Sequence, residues 1–397
     1  MTADRRRRAL EFVLLVGAMS FFADFTYEGA RAVAGPFLAL LGASGLIVGA
    51  ASGLGELAGY GLRLVSGSLA DRTRAYWPVT IAGYIVQMAA VPALALAGSW
   101  QAAVALLVLE RVGKATRNPP RDVMLSHAGS EMGGFGWAFG LHEALDQFGA
   151  LVGPLAVAAI VAAHHQFRLA FAALAVPAAC TLILLGVARI LYPHTEEFEP
   201  RAPVRFANAG YPREFWTYLV GAGLVAAGFA DFPLIAFHFQ KAGVLSEAWI
   251  PVSYAIAMGV GGAGSLAFGR MFDRAGLRIL VPVTLVTAFY APLAFLGGAG
   301  AAIAAMVLWG LGLGVHESIL AAAIATMVPA ERRATAYGLF TAAFGVFWFL
   351  GSVLLGWLYD VSLVGMVVAA VGLEVAGVPL LLITQRLISA RTQPARA

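Results

Sequence analysis

Residues 67–72, Gly-Ser-Leu-Ala-Asp-Arg, recur in altered form at residues 269–274 as Gly-Arg-Met-Phe-Asp-Arg, an offset of 202 positions (269 minus 67). A second pair of stretches, Ala-Phe-Gly-Leu at 138–141 and Ala-Tyr-Gly-Leu at 336–339, lies at an offset of 198 (336 minus 138). Two independent matches at nearly the same offset indicate an internal repeat. We therefore predict a chain built from two homologous halves.

Long apolar runs surround these motifs. The chain is 60% hydrophobic and 12% charged, with a mean hydropathy of +0.81, whereas soluble domains are roughly 45–50% apolar. A helix needs about 20 mostly apolar residues to cross a bilayer, and only helices of this kind satisfy their own backbone groups in lipid. The predicted fold class is an all-α membrane protein with twelve transmembrane helices, at 10–34, 44–69, 77–98, 100–124, 135–163, 167–192, 213–240, 246–271, 278–298, 300–328, 334–359 and 363–388.

The basic residues concentrate on one side of this topology. They stand at the N-terminus, in the loops after even-numbered spans and at the C-terminus: Arg5 to Arg8, Arg72, Arg74, Arg201, Arg205, Arg213, Arg270, Arg274, Arg278, Arg332, Arg333, Arg386, Arg391 and Arg396. The opposite loops carry only Arg168 and Lys241. By the positive-inside rule, we expect a multi-pass protein of the inner membrane with both termini in the cytoplasm. The net charge of +4 is then explained by the basic residues on the cytoplasmic side of the membrane, and no nucleic-acid partner is expected.

One polar, proline-rich interruption separates the halves at residues 192–214. It predicts an N-terminal six-helix bundle at 1–192, a cytoplasmic linker at 193–213 and a C-terminal six-helix bundle at 214–397, related by a pseudo-two-fold axis. The chain is expected to act as a monomer in contact with membrane lipid.

Enzyme signatures are missing from the sequence. It contains no Walker loop, no His-Glu-x-x-His and no Gly-x-Ser-x-Gly. Cys180 is the only cysteine, so a disulfide or a cysteine-based metal site within the chain is excluded. We expect no enzymatic activity, no cofactor and no metal.

The loop motif at 67–74 resembles the signature of the major facilitator superfamily, Gly-x-Leu-Ala-Asp-Arg followed by basic residues, and the resemblance covers essentially the whole chain. Arg111 and Gly113 are similar to the superfamily's fourth-helix motif. Gly149, Gly153 and Pro154 resemble the Gly-x-x-x-Gly-Pro motif of its drug/proton-antiporter branch, although Leu155 and Ala156 replace the usual glycine pair after the proline.

The resemblance implies a conformational latch formed by these motifs. Its candidate residues are Gly67, Asp71, Arg72, Gly269, Asp273, Arg274, Gly149, Gly153 and Pro154. Asp71 is expected to face the N-terminal end of the eleventh helix near Ala334 and Thr335, where the helix dipole is positive. The alternatives are that Asp71 only caps a turn and that the glycines only permit ordinary helix packing.

Charged residues within the spans form stripes on the helices of the N-terminal half. Each buried charge needs a partner or a water-filled cavity, because a charge at the bilayer centre costs about 2.5–3.5 kcal/mol on insertion scales. The candidate residues for a proton-coupling and substrate cavity are Asp24, Glu28, Arg31, Glu56, Arg63, Glu110, Arg111, Lys114, His142, Glu143 and Asp146, with Asp231, His316 and Glu317 in the second half.

Two interpretations of these charges stay open. In the first, a carboxylate of the network, above all Asp24 or Glu28, gains and loses a proton as nearby arginines move during transport. In the second, the charges are permanent ion pairs that hold the bundle together. His142 and His316 are proton relays in the first interpretation and packing residues in the second.

The sequence Arg-Asn-Pro-Pro-Arg-Asp at residues 117–122 is predicted to end the fourth helix, because proline removes a backbone donor. Its arginines are expected to anchor to lipid headgroups, with a gate or an anion funnel as the alternative.

These observations predict a secondary active transporter that works by alternating access and uses protons to export a small organic compound. One alternative is proton-coupled uptake of a small solute, with small anions included. Another is an assembly factor or sensor that shares the fold and does not transport.

Overall fold

The computed structural model describes residues 3–73, 75–131, 135–193, 210–329 and 332–392, and these residues are almost entirely helical. The α-helices are α1 Ala3–Leu40, α2 Gly45–Thr73, α3 Tyr76–Ala93, α4 Trp100–Glu131, α5 Phe135–His164, α6 Phe167–Ala173, α7 Ala175–Leu191, α8 Arg213–Gly228, α9 Phe232–Lys241, α10 Trp249–Ala275, α11 Leu280–Thr287, α12 Tyr290–Leu296, α13 Ala299–Met327, α14 Arg333–Val361 and α15 Leu363–Thr392. Short 3-10 turns at Leu94–Leu96 and Gly276–Ile279 extend α3 and precede α11.

All twelve predicted spans are helical. Within the described ranges, ten helical segments are long and apolar enough to cross a membrane. The other two predicted spans correspond to α2 and α4, which carry several of the charged candidate residues. The all-α membrane fold predicted from hydropathy is confirmed.

Three predicted spans consist of two helical pieces. The sixth span contains α6 and α7, the ninth contains α11 and α12, and the seventh breaks between Gly228 and Phe232. At the last break the side chain of Asp231 accepts a hydrogen bond at 2.9 Å from the backbone nitrogen of Phe232. This capping bond, together with Pro233 in the first turn, restarts the helix as α9.

The described parts of the chain divide into two compact units. Unit 1 is drawn from Met1–Ala43, Ala58–Ala202 and Ser246–Ala255, and unit 2 from Ser44–Leu57, Pro203–Leu245 and Ile256–Ala397. The predicted bundle boundaries at 192 and 214 stay a prediction, and most of the predicted linker, residues 194–209, lies outside the described residues.

Equivalent glycines make equivalent helix contacts inside the two units. In unit 1, a Cβ atom on Gly153 of α5 would clash with the carbonyl oxygen of Phe25 on α1. In unit 2, a Cβ atom on Gly351 of α14 would clash with the carbonyl oxygen of Ala227 on α8. The positions are offset by 198 (351 minus 153) and 202 (227 minus 25) residues. These are the offsets of the sequence repeat, which the packing therefore supports.

The prediction that the prolines at 119 and 120 end the fourth helix is wrong. Helix α4 continues through both prolines to Glu131. Proline at 119 removes the hydrogen bond that Ala115 would accept from the residue four positions later. The hydroxyl of Ser66 on α2 donates to the Ala115 carbonyl at 2.8 Å instead. Because a neighbouring helix satisfies this orphaned acceptor, α4 need not end there.

We expect the change Ser66→Ala to destabilise unit 1. It leaves the buried carbonyl of Ala115 without its donor, which costs about 1–3 kcal/mol. The measurement is thermal unfolding of the purified chain in detergent. The matched control is Thr73→Ala, because the Thr73 hydroxyl is exposed and bonds within its own helix to Leu69 at 2.7 Å. Equal unfolding temperatures for both variants would show that Ser66 does not support the proline segment.

Candidate functional site

Asp24 lies at the centre of a buried polar network in unit 1. Its side chain projects from α1 and is 6% exposed. The Oδ1 atom of Asp24 lies 3.7 Å from Nζ of Lys114 and 3.5 Å from Nη2 of Arg117, both on α4. The two cations compensate the charge that the carboxylate carries into the helix bundle.

Arg117 is the most completely enclosed charged side chain among the described residues, with no exposed surface. Its Nε donates to Gln87 Oε1 at 2.6 Å, and its Nη1 donates to the hydroxyl of Tyr84 at 2.8 Å. The guanidinium also lies 4.4 Å from the centre of the Tyr84 ring. With Asp24, these partners engage all three guanidinium nitrogens.

The close crossing of α3 and α4 brings these partners together. A Cβ atom on Gly83 would lie 2.7 Å from the backbone nitrogen of Arg117, and one on Gly113 would lie 2.6 Å from that of Gln87. Such distances are too short for any side chain, so only glycine permits this crossing. The near contact places Tyr84 and Gln87 of α3 beside Arg117 of α4.

Arg121, one turn further along α4, is 7% exposed. Its Nη1 donates to Ser20 Oγ at 3.1 Å, and its Nη2 donates to Asp122 Oδ1 at 2.8 Å. Ser20 Oγ also lies 3.2 Å from Nε2 of His142 on α5, which connects His142 to the network. The expectation that Arg117 and Arg121 anchor to lipid headgroups is wrong, because buried polar partners from α1 and α3 hold both side chains.

Asp146 on α5 completes a pair of carboxyl groups with Asp24. The two side chains lie close enough for their charges to interact. Oδ1 of Asp146 is buried and has no hydrogen-bond partner among the described residues. Two adjacent carboxylates repel each other when both are ionised, and a proton bound to either of them removes this repulsion. Lys114, Arg117 and Arg121 supply the positive charge that acts on this pair.

Two further acids of unit 1 accept hydrogen bonds from uncharged side chains. Glu28 is 6% exposed and accepts a hydrogen bond at 2.6 Å from the hydroxyl of Tyr254. Tyr254 stands near the start of α10, in the segment grouped with unit 1. Glu110 is 3% exposed and accepts from Gln87 Nε2 at 2.7 Å, with Arg111 Nε at 3.8 Å from its second oxygen.

Three cations surround the ring of Tyr27 on α1. Lys114 Nζ lies 3.8 Å from the ring centre, Arg111 Cζ lies 4.8 Å away and Arg31 Cζ lies 6.0 Å away. Arg31 also donates to the Tyr27 hydroxyl at 2.9 Å. All three basic side chains are half-buried, so they combine attraction to the ring face with partial access to solvent.

The other candidate residues of the first half do not belong to the buried network around Asp24. Glu143 is exposed and accepts at 3.0 Å from Gln147 on its own helix. Arg63 is exposed over the Tyr60 ring at 5.7 Å. Glu56 is half-buried on the part of α2 that is grouped with unit 2. The structure thus assembles Asp24, Glu28, Arg31, Glu110, Arg111, Lys114, His142 and Asp146 in unit 1.

The candidate latch residues are described in part. A Cβ atom on Gly67 would lie 3.4 Å from Pro119, and those on Gly149 and Gly153 would clash with the carbonyls of Phe21 and Phe25. Pro154 is buried, Arg72 and Arg274 are exposed, and Gly269 has open space beside it. The side chains of Asp71, Asp273 and Ala334 lie outside the described residues, so their predicted latch role stays a prediction.

In unit 2, aromatic rings dominate where unit 1 has charges. Phe229 stacks on Trp309 with ring centres 5.3 Å apart and contacts the ring of His316 at 4.7 Å. His316 also contacts Trp348 at 5.9 Å. Asp231 caps α9, as described above, and the side chain of Glu317 lies outside the described residues.

Sequence patterns did not identify several members of the unit 1 network, namely Ser20, Tyr27, Tyr84, Gln87 and Tyr254. Hydroxyl groups are common in membrane helices, so Ser20 and the tyrosines carry no distinctive signal. Gln87 does carry one, because it is the only amide or charged residue in the predicted span 77–98. A lone glutamine in such a span indicates a buried hydrogen-bond partner.

Comparison with known proteins gives matches over nearly the full chain. The family model of the Major Facilitator Superfamily matches residues 14–352. An uncharacterized protein of Mycobacterium tuberculosis is 41% identical over 373 residues, which cover 92% of this chain and 91% of the relative. An uncharacterized MFS-type transporter of Methanocaldococcus jannaschii is 26% identical over 368 residues, covering 90% of this chain and 91% of the relative.

Solved transporter structures share the fold. A bacterial homolog to the human lysosomal transporter Spinster, inward-facing and unoccupied, gives a TM-score of 0.76 at 15% identity over 100% of both chains. The POT family transporter PepTSo gives 0.77 at 14% identity over 96% of this chain and 99% of the other. The nucleoside transporter NupG gives 0.70 at 14% identity over 96% and 99%. At these identities the likeness concerns the fold alone.

Proposed function

The chain belongs to the Major Facilitator Superfamily and is a secondary transporter of that type, and we propose that it exports a small organic compound in exchange for protons. The observation that carries the proposal is the carboxyl pair of Asp24 and Asp146, enclosed in unit 1 beside Lys114, Arg117 and Arg121. The transporter resides in the inner membrane with both termini in the cytoplasm, as the distribution of basic residues supports.

The Asp24 and Asp146 pair can act as a switch, because the number of protons that it binds depends on how far Lys114 and Arg117 lie from Asp24. With Lys114 and Arg117 close to Asp24, that carboxylate is compensated, and the proton of the pair stays with Asp146. A movement of α4 or α5 relative to α1 changes how much positive charge faces the pair. Such a movement during alternating access takes up a proton in one state and releases it in the other.

The direction of transport rests on the glycine face of α5. Gly149 and Gly153 pack directly on the α1 backbone at Phe21 and Phe25, next to Pro154. We infer that a movement of α5 at Pro154 displaces α1, the helix that carries Asp24. The same residues resemble the antiporter motif, which favours proton-driven export.

A second candidate function is proton-coupled uptake of a small organic anion. The specific observation in its favour is the cluster of Arg31, Arg111 and Lys114 around Tyr27. Half-buried cations beside an aromatic face suit a carboxylate or phosphate attached to an apolar group.

Proteoliposomes loaded with a pH-sensitive dye test the proposal. With the vesicle interior made acidic, an exporter driven by proton exchange accumulates its substrate inside while the interior pH rises. With the exterior made acidic, an uptake system accumulates its substrate and the interior acidifies. A panel of organic cations and anions is screened in both gradients. Compounds that bind the chain without flux in either gradient would indicate a protein that does not transport.

We expect Asp146→Asn to remove proton movement in this assay, because the change deletes the carboxyl group that holds the proton of the proposed pair. Glu143→Gln is the matched control, since Glu143 lies less than one turn away on the same helix and is exposed. A variant at 146 that still couples substrate flux to internal pH would exclude the carboxyl pair as the proton site.

A further inference from the structure

The break between α8 and α9 interrupts the backbone hydrogen bonds of the predicted seventh span within unit 2. Two aromatic side chains replace part of them. The hydroxyl of Tyr290 donates to the Gly228 carbonyl at 3.1 Å and also accepts from the backbone nitrogen of Ala230. Nε1 of Trp309 donates to the Ala230 carbonyl at 2.9 Å. The carbonyl oxygens of Gly228 and Ala230 at the break therefore face the interior of unit 2, where these two side chains bind them.

Glu374 of α15 lies directly against this break. A Cβ atom on Gly228 would lie 2.8 Å from Cγ of Glu374, so the missing side chain at 228 leaves room for the carboxyl group. Glu374 is 1% exposed. Neither of its carboxyl oxygens has a hydrogen-bond partner among the described residues.

The surroundings of Glu374 contain no described positive charge that offsets it. The titratable groups that face it are the phenol of Tyr290 on α12 and, across that phenol, the carboxyl of Asp231. The other charged residues of the elements packed against α15 stand at helix ends: Arg213, Glu214, Arg278, Arg333 and Asp360. The C-terminal end of α8 adds partial negative charge through the helix dipole.

A buried carboxylate without a hydrogen bond or a counter-charge is strongly unfavourable in a membrane interior. Here the Glu374 carboxylate, the partial negative charge at the C-terminal end of α8 and the Asp231 carboxyl all attract positive charge. Broken membrane helices bind coupling ions in this way, through unwound carbonyls and C-terminal helix ends. We propose that Glu374 binds a monovalent cation, a proton or a sodium ion, at the break between α8 and α9.

This ion site is separate from the Asp24 and Asp146 pair, because it lies in the other unit and shares no residue with it. Binding at Glu374 is therefore testable whether or not the pair in unit 1 carries the transported proton. Occupancy of the site also acts on the break, since Tyr290, which binds Gly228 and Ala230, is close enough to Glu374 to sense its charge.

Tryptophan fluorescence provides a readout that needs no transport substrate. Trp309 is bonded to the break and stacks on Phe229, so its emission reports a change there. The full chain in detergent is titrated with acid in choline chloride, and separately with NaCl at alkaline pH. We expect an emission transition in wild type that is lost in Glu374→Gln and in Trp309→Phe, and kept in Glu143→Gln.

The two titrations distinguish the ions. If NaCl at alkaline pH reproduces the acid-induced emission, the site takes sodium as well as protons; if only acid does so, the site takes protons. Identical titrations in wild type and Glu374→Gln, or no transition in wild type, would overturn the proposal. If Glu374→Gln fails to fold, Glu374→Asp replaces it. The aspartate side chain is shorter and moves the carboxyl group away from the break, so we expect the midpoint of the emission titration to shift. An unchanged midpoint would equally overturn it.

Discussion

Asp24→Asn is expected to abolish the accumulation of substrate against a pH gradient while exchange of substrate across the membrane continues. Without the Asp24 carboxylate, the pair whose proton content changes during the transport cycle no longer exists, so we expect no proton to accompany that cycle. A gradient of about one pH unit stores about 1.4 kcal/mol per proton, enough for about tenfold accumulation. We expect wild type to approach that ratio and the variant to reach only the equilibrium concentration.

The measurement compares accumulation of labelled substrate with counterflow at zero pH gradient in proteoliposomes. The variant Glu28→Gln distinguishes the role of Glu28 from that of Asp24. It removes the charge at position 28, while the amide oxygen still accepts the hydrogen bond from Tyr254. We expect that variant to retain accumulation. If Glu28→Gln loses it and Asp24→Asn does not, the proton site lies at Glu28 and the Asp24 pair is structural.

Arg117→Ala is expected to have the largest effect on stability of any single change in unit 1. It removes the guanidinium that joins Asp24, Gln87 and Tyr84. Breaking a buried ion pair by deleting one partner costs about 3–5 kcal/mol, because the remaining charge is left without compensation. The free energy of unfolding in mixed detergent micelles measures the effect.

A double variant separates lost charge compensation from lost packing. Arg117→Met combined with Asp24→Asn removes both charges and keeps most of the side-chain volume, so it is expected to recover part of the stability lost in Arg117→Ala. Arg117→Lys keeps the charge and loses the planar fork, and we expect an intermediate stability. Equal destabilisation in all three variants would mean that packing, and not charge compensation, makes Arg117 important.

The architecture of this protein could be predicted from local properties of its sequence. A membrane helix satisfies its own backbone hydrogen bonds, so length and hydropathy were enough to predict an all-α membrane fold, in which ten described helical segments are long and apolar enough to cross a membrane. The repeat was also visible, and Gly153 and Gly351 make matching contacts in the two units. The charged stripes on α1 and α4 indicated a polar network, since charges within a span need partners.

The partners of each charge were decided only by the tertiary structure. Arg117 is buried because Gly83 and Gly113 allow α3 and α4 to approach closely, a contact between residues 30 positions apart (113 minus 83). Pro119 is tolerated within α4 because the hydroxyl of Ser66, on another helix, donates to the carbonyl of Ala115 that the proline leaves without its usual partner. The isolation of Glu374 likewise depends on the break at Gly228, far away in the chain. Spacing along one helix specifies which residues share a face, whereas the crossing of helices specifies what that face meets.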